Sequence, residues 1–242
     1  MQLVMLCAGR GSRLPKKFRN KPKCLMLLNN KNLLSYNEKF IKSFKKKIIV
    51  TGYRSYLLQK KSKKYKFTYV INQKYKTTNM VHSLFLARKK ITSDVVIMYG
   101  DIIFDYKIYK LLKTKKNIMP INKKWFENWK KRMGLKKTLN DVENLFLKNN
   151  FLKEIGTKIK KKKLPKYQFM GLLKLKKKTY FNLMRFYKKI NNDKIDMTSF
   201  INLCINNNKL KISVSKSSYF WYEIDTISDF NFAEKELKKN KK

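Results

Sequence analysis

The chain opens on an unbroken apolar run, Leu3 to Cys7, with the length and character of a strand buried on both faces. A short apolar stretch follows at Leu25 to Leu28. From Leu33 to Phe44 the apolar positions Leu33, Leu34, Tyr36, Phe40, Ile41 and Phe44 recur at helical spacing. Ile48 to Thr51 reads as a second buried strand ending at Gly52-Tyr53, Ser55 to Lys64 as a helix, and Phe67 to Ile71 as a third strand. Asn79 to Lys90 carries a helical pattern with Asn79 as its N-cap, and Val95 to Tyr99 is a strand ending in Gly100-Asp101. Strands alternating with helices predict the α/β class: a mainly parallel, twisted sheet flanked by helices, with right-handed crossovers. The functional edge is expected where the strands end, near Gly9, Gly52 and Asp101.

The second half changes character. Asn117 to Asn122 reads as a strand, and Lys123 to Asn140 is lysine-rich with Trp125, Phe126 and Trp129 embedded. Val142 to Lys148 and Phe151 to Ile155 read as strands paired across a turn at Asn149-Asn150. Phe169 to Leu175 is a further strand, Thr179 to Lys189 and Met197 to Asn206 are helical, and Leu210 to Val214 and Tyr219 to Ile224 are strands. Thr226 to Lys239 is an amphipathic helix running into a basic tail. There is no internal repeat and no linker. The expectation is one domain over 1–242, with a nucleotide-binding half at 1–118, an acceptor-binding half at 119–242 and an inserted substrate lobe around 119–175.

Composition narrows the class. A chain of 242 residues with 43% hydrophobic and 14% aromatic residues can bury a core and is not a disordered polymer. The formal charge of +45 taken alone suggests a nucleic-acid or anionic-membrane partner. The surplus is nearly all Lys rather than Arg, however, and Asn, Ile, Phe and Tyr are abundant too, as in an A/T-rich genome. Nucleic-acid surfaces lean on Arg for bidentate contacts. The Lys runs, such as Lys45 to Lys47 and Lys160 to Lys163, are dispersed, so they read as solvated faces that draw in polyanions. Cys7, Cys24 and Cys204 lack metal-ligand spacing and read as reduced thiols of a cytoplasmic protein. No signal peptide or membrane span is expected.

The candidate chemistry starts at the first strand's end. Gly9 and Gly11 allow a sharp backbone turn whose N–H groups converge on one concavity, and Arg13 and Lys23 add full positive charge. A lone G-x-G equally describes an ordinary strand-loop turn. The longer string Leu6-Cys7-Ala8-Gly9-Arg10-Gly11-Ser12-Arg13-Leu14, followed by Pro22-Lys23-Cys24-Leu25, is specific. It resembles the N-terminal signature of the nucleotidyltransferases that activate sugar phosphates and phosphocholine. Thr78-Asn79-Met80-Val81-His82-Ser83-Leu84 has the N-M-x-x-S-L form of the choline-phosphate branch, and Trp221-Tyr222-Glu223-Ile224-Asp225 resembles that branch's E-I-D ending. The resemblance covers most of the chain and is weakest at residues 106–140. It implies a Rossmann-like, GT-A-like nucleotidyltransferase fold.

Asp101 and Asp225 follow strands in a chain with only 15 acidic residues, and two such carboxylates can meet on one Mg²⁺. By spacing alone each also serves as a helix cap. The resemblance implies that they are the metal pair. It further implies CTP, or another nucleoside triphosphate, held by Leu6, Ala8, Gly9, Gly11, Ser12, Arg13, Lys23, Asn79, Ser83 and Asp101. Lys23, Arg13, Asp101 and Asp225 then form the catalytic set. The activity the resemblance implies is Mg²⁺-dependent nucleotidyl transfer from CTP to phosphocholine, or a related phospho-amine or phosphonate, with release of pyrophosphate. A choline headgroup needs aromatic faces and an acid. Trp221, Tyr222, Glu223 and Glu154 are the first candidates, with Tyr219, Trp125, Trp129, Phe169 and Asp196 behind them. His82, the only histidine, reads as a packing residue and excludes a His-based metal site. A sugar-1-phosphate nucleotidyltransferase serving surface glycan synthesis is the alternative on the same scaffold. A non-enzymatic basic nucleic-acid binder leaves both the loop and the paired aspartates unexplained.

Overall fold

The computed structural model describes residues 1–159 and 164–239; the Lys160 to Lys163 run lies outside the described residues. In chain order the strands and helices are β1 (Gln2–Cys7), β2 (Leu27–Leu28), β3 (Lys31–Asn32), α1 (Leu33–Tyr36), α2 (Glu38–Lys42), β4 (Lys47–Thr51), α3 (Ser55–Ser62), β5 (Thr68–Ile71), α4 (Met80–Leu86) and β6 (Val95–Tyr99). Then follow β7 (Ile102–Phe104), α5 (Ile108–Leu112), β8 (Ile118–Asn122), α6 (Trp125–Met133), α7 (Leu135–Asp141), β9 (Glu143–Lys148) and β10 (Phe151–Lys158). The chain ends with β11 (Gln168–Phe169), β12 (Leu172–Leu175), α8 (Lys177–Ile190), α9 (Met197–Asn206), β13 (Ser213–Ser217), β14 (Trp221–Glu223) and α10 (Ile227–Lys239).

One large mixed sheet runs β5-β4-β1-β6-β12-β8-β13-β10-β9. Its first four strands are parallel, and β12 enters antiparallel between β6 and β8. The apolar runs are apolar because both faces are covered. Val4 and Leu6 of β1 enter one core, while Leu3, Met5 and Cys7 enter the other. The chain moves outward from β1 to β4 and β5, then returns to the opposite side of β1 with β6. That reversal opens a crevice at the carboxyl end of β1.

Several elements differ from the sequence pattern for local reasons. The helix expected over 33–44 splits at Asn37, whose buried amide donates to the carbonyls of Leu33 and Ile102. The strand expected over 169–175 breaks into β11 and β12 at Gly171, which takes φ +71° and sits so close to Tyr99 that a Cβ would fall 2.9 Å from its ring. The expected 210–214 strand begins only at Ser213. β8 and β12 belong to the main sheet, so the 119–175 excursion consists of α6, α7 and the β9–β10 hairpin, which extends that sheet.

The placement that matters for function is off the main sheet. Among the described residues β14 pairs only with β7, antiparallel, with Glu223 opposite Ile102. The Ile224 amide donates to the Asp101 carbonyl at 2.9 Å. A third apolar cluster ties α10 to the segment after the first loop, through Leu14, Met26, Leu28, Tyr222, Ile224 and Phe230.

Candidate active site

The loop that leaves β1 is held from three directions. Gly100 N–H donates to the Leu6 carbonyl at 3.0 Å, Tyr53 N–H donates to Ala8 at 3.0 Å, and the Leu14 amide closes a turn on Gly11 at 3.1 Å. Gly11 has φ +68°, the left-handed region open to glycine. A Cβ at Gly9 would meet nothing within 4 Å, so the backbone there faces free space. The loop forms one wall of a cleft of about 250 Å³. Leu6, Ala8, Gly9, Gly11, Ser12, Arg13, Lys23, Asn79, Ser83, Asp101 and Asp225, all expected at the site, line it together.

Lys23 follows Pro22 on a single 3₁₀ turn that aims its side chain inward. Its ammonium donates to Asp101 Oδ2 at 2.9 Å and also to Asp225 Oδ1. Arg13 pairs with the other Asp225 oxygen at 2.7 Å. Asp101 and Asp225 are 124 residues apart in sequence, yet one cation bridges them. Burial pushes the Lys23 ammonium down, but the charges of Asp101 and Asp225 outweigh it and hold the proton more tightly than usual. Burial pushes the Asp225 carboxyl up, and Lys23, Arg13 and Arg132 overcome that, so its net shift is downward.

Glu223, expected at the acceptor, lies in a carboxylate trio: Asp101, Glu223 and Asp225 offer oxygens within 4.8 Å of one another. Burial first, then the Asp101 and Asp225 charges, raise its carboxyl from the ordinary 4.5 to about 8. Asp101 Oδ1 is buried and has no hydrogen-bond partner among the described residues. An orphaned carboxylate oxygen beside two more carboxyls matches the hard, all-oxygen donor set of Mg²⁺.

Three of the expected acceptor residues do not line this cleft. Trp221 and Tyr222 are 3% and 8% exposed and lie in separate apolar clusters, because β14 turns their rings into the packing on either side of its pairing with β7. Neither lines the cleft. Glu154 also lies away from it and accepts a hydrogen bond from the Thr157 hydroxyl. Trp125 is buried, and Trp129 is half-buried with the Arg132 guanidinium 4.9 Å over its ring.

Asn72 is a cleft residue that pattern reading missed. It follows β5 directly and is 1% exposed. Its amide nitrogen donates to Ser83 Oγ at 2.9 Å and Thr78 Oγ1 at 3.0 Å, while its Oδ1 is buried without a partner among the described residues. The usable signal was positional: a polar residue directly after a strand of the parallel half. Asn79 caps α4 through the Met80 amide and donates to the Lys194 carbonyl.

No family model matches the chain. It is 30% identical to the CTP:phosphoglutamine cytidylyltransferase of Campylobacter jejuni, over 95% of this chain and 97% of the relative. It is 32% identical to the choline-phosphate cytidylyltransferase of Streptococcus pneumoniae, over 43% of this chain and 46% of the relative. Among solved structures, the CTP:phosphocholine cytidylyltransferase of Streptococcus pneumoniae shares the fold with a TM-score of 0.71 at 19% identity, covering 98% of each chain. The inositol-1-phosphate CTP transferase of T. maritima does so with a TM-score of 0.75 at 16% identity, covering 98% of this chain and 96% of that one.

Proposed function

The chain belongs to the nucleotidyltransferase family, near its phosphocholine cytidylyltransferase branch, and from that premise we propose that it transfers the cytidylyl group of CTP to a small phosphorylated acceptor and releases pyrophosphate. The observation that carries the reading is the bridge from Lys23 to both Asp101 and Asp225 at the lip of the Gly9–Ser12 loop.

An acceptor phosphate oxygen attacks the α-phosphorus in line. The new O–P bond forms as the bond to the β-phosphate oxygen breaks, and pyrophosphate departs with that electron pair. The attacking phosphate is already anionic, so the chain supplies position and positive charge rather than a general base. The amides of Gly9 to Ser12 and the Arg13 guanidinium hold the β- and γ-phosphates. Lys23 neutralises charge developing at the α-phosphate. A divalent cation, held by Asp101, Asp225 and Glu223, supplies further neutralisation of the phosphates when bound. Asn72 Oδ1, the one buried acceptor of its side chain left unused, fits the exocyclic amine of cytosine and opposes the carbonyl that uracil has there.

The acceptor is a small polar phosphate, with phosphoglutamine favoured over phosphocholine. A quaternary ammonium needs open aromatic faces. Of the expected ones, Trp125, Trp221 and Tyr222 are buried, Trp129 and Tyr219 already carry Arg132 and, at 5.7 Å, Lys107, and half-buried Phe169 packs edge-on against the Tyr99 ring at 5.7 Å. The whole-length likeness to a phosphoglutamine enzyme supports the same choice. The test is pyrophosphate release across four nucleoside triphosphates and phosphoglutamine, phosphocholine, aminoethylphosphonate and hexose-1-phosphates. Turnover with CTP and phosphoglutamine is expected. Release only with a hexose phosphate refutes the reading, and a clear preference for phosphocholine refutes its finer part.

A further inference from the structure

Residues 106–140 carry the weakest resemblance to the family, yet α6 sends a side chain from there to the buried Asp229, next to the site. Arg132, one residue before the end of α6, has a side chain only 10% exposed. Its Nε lies 2.9 Å from Asp229 Oδ1, an ion pair set off the N–H line, and Asp229 is 2% exposed. The second Asp229 oxygen accepts from the Asp225 amide at 2.8 Å and the Thr226 amide at 2.7 Å. One buried carboxylate therefore has two duties. It takes a guanidinium from α6 and clamps the backbone of the residue whose side chain meets Lys23.

The guanidinium is itself fixed. It stacks 4.9 Å from the Trp129 ring, Trp129 packs edge-on against Trp125 at 5.3 Å, and Trp125 Nε1 donates to the Pro165 carbonyl at 3.1 Å. Only seven of the 60 basic residues are Arg, so a lysine here would follow the general bias of the chain. A lysine has neither the planar face for Trp129 nor the fixed fork for Asp229.

We infer that Arg132 is a positioning residue for the metal-binding carboxylates, acting through Asp229 on the backbone of Asp225, so that α6 braces the site from outside the family's shared motifs. This rests on the proposed cytidylyl transfer and adds to it a residue that touches neither nucleotide nor acceptor. Outer partners of metal ligands typically change metal affinity or activity by about 10- to 100-fold.

The test compares wild type, Arg132→Met and Asp229→Asn. Mn²⁺ binding is measured by electron paramagnetic resonance in the presence of α,β-methylene-CTP, together with kcat, KM for CTP and Tm. Both variants are expected to bind Mn²⁺ about tenfold more weakly and to lose about 10- to 100-fold in kcat, with KM for CTP within about twofold of wild type. A purely structural role lowers Tm and leaves the Mn²⁺ affinity of the folded protein unchanged, which overturns the inference. Asp229→Asn keeps an oxygen for the two amides and carries the comparison should Arg132→Met not fold. Absence of CTP turnover by the wild type refutes the functional reading instead, while equal Mn²⁺ affinities in wild type and variants refute the role of Arg132.

Discussion

Replacing Lys23 by Met separates two jobs that one ammonium performs. In the free protein Lys23 bridges Asp101 and Asp225, whose side chains are 21% and 14% exposed. At an effective dielectric of about 20, a pair of unit charges about 4 Å apart attracts by about 4 kcal/mol. Desolvation offsets most of that for groups this far from water, and Arg13 remains on Asp225. A net loss of about 2–3 kcal/mol is the reasonable figure. In a chain of this length each kcal/mol moves Tm by about 2–4 °C, so Lys23→Met should melt about 5–10 °C lower in divalent-free buffer. Added Mg²⁺ should then restore more stability to the variant than to wild type, because the ammonium no longer competes for the same oxygens; at 100 times Kd the gain is about 2.7 kcal/mol. Activity should not return. Losing a preorganised positive donor at the reacting phosphate costs about 10²–10³ in kcat. Scanning fluorimetry with and without Mg²⁺, paired with pyrophosphate release, reads both. A variant with wild-type kcat, or one whose Mg²⁺-induced Tm shift is no larger than that of wild type, refutes the reasoning.

The remaining predictions concern three other parts of the cleft. Asn72→Ala should raise KM for CTP about tenfold, the worth of one hydrogen bond in a buried site, and leave turnover of UTP almost unchanged; an unchanged CTP-to-UTP preference removes Asn72 from base recognition. Glu223 holds its proton up to about 8, whereas the unfolded carboxyl loses it near the ordinary 4.5. The folded state therefore binds more protons across that window, and this group's contribution to stability falls as pH rises through it. In divalent-free buffer Glu223→Gln should flatten the decline of Tm between about pH 5 and pH 8, and parallel curves for the two proteins argue against the raised value. Gly9→Ala should keep its Tm and raise KM for CTP, since a Cβ there meets no protein atom within 4 Å but occupies the anion wall. Gly100→Ala should fail in stability instead, because its Cβ would lie 2.4 Å from Cys7 Sγ and 2.8 Å from the Leu6 carbonyl.

What could be read from residues alone follows from the range of the interactions involved. The parallel half was legible because LVMLC, IIVT and VVIMY are apolar on both faces and end in Gly-rich turns, all local properties. The loop and Lys23 were legible because the motif is contiguous. The breaks at Asn37 and Gly171 were not, since each depends on a distant partner: the Ile102 carbonyl for one and the Tyr99 ring for the other. The place of Glu223 beside Asp101 and that of Asn72 in the cleft were not legible for the same reason. Periodicity places a residue on a strand, but it does not say that β14 leaves the main sheet to pair with β7, nor that Asn72 will have its amide used and its carbonyl oxygen left over.

That excursion of β14 explains why the acidic site exists at all in so basic a chain. A strand added to the main sheet would align with its neighbours along their length. Pairing with the three-residue β7 instead sets Glu223 opposite Ile102, and the Ile224 amide closes on the Asp101 carbonyl. Three of the chain's 15 acids are thereby brought within 4.8 Å of one another. Such a cluster repels itself, and that repulsion adds to burial, the larger cause, in raising the carboxyl of Glu223. It persists because Lys23, Arg13 and the Arg132–Asp229 pair surround it from three separate segments. Removing Lys23 or Arg13, which sit on the carboxylate oxygens themselves, should therefore cost the folded chain more without a divalent ion than with one. The three surface ion pairs of Glu38 with Lys42 and Lys64 and of Glu236 with Lys239 have no reason to show that dependence.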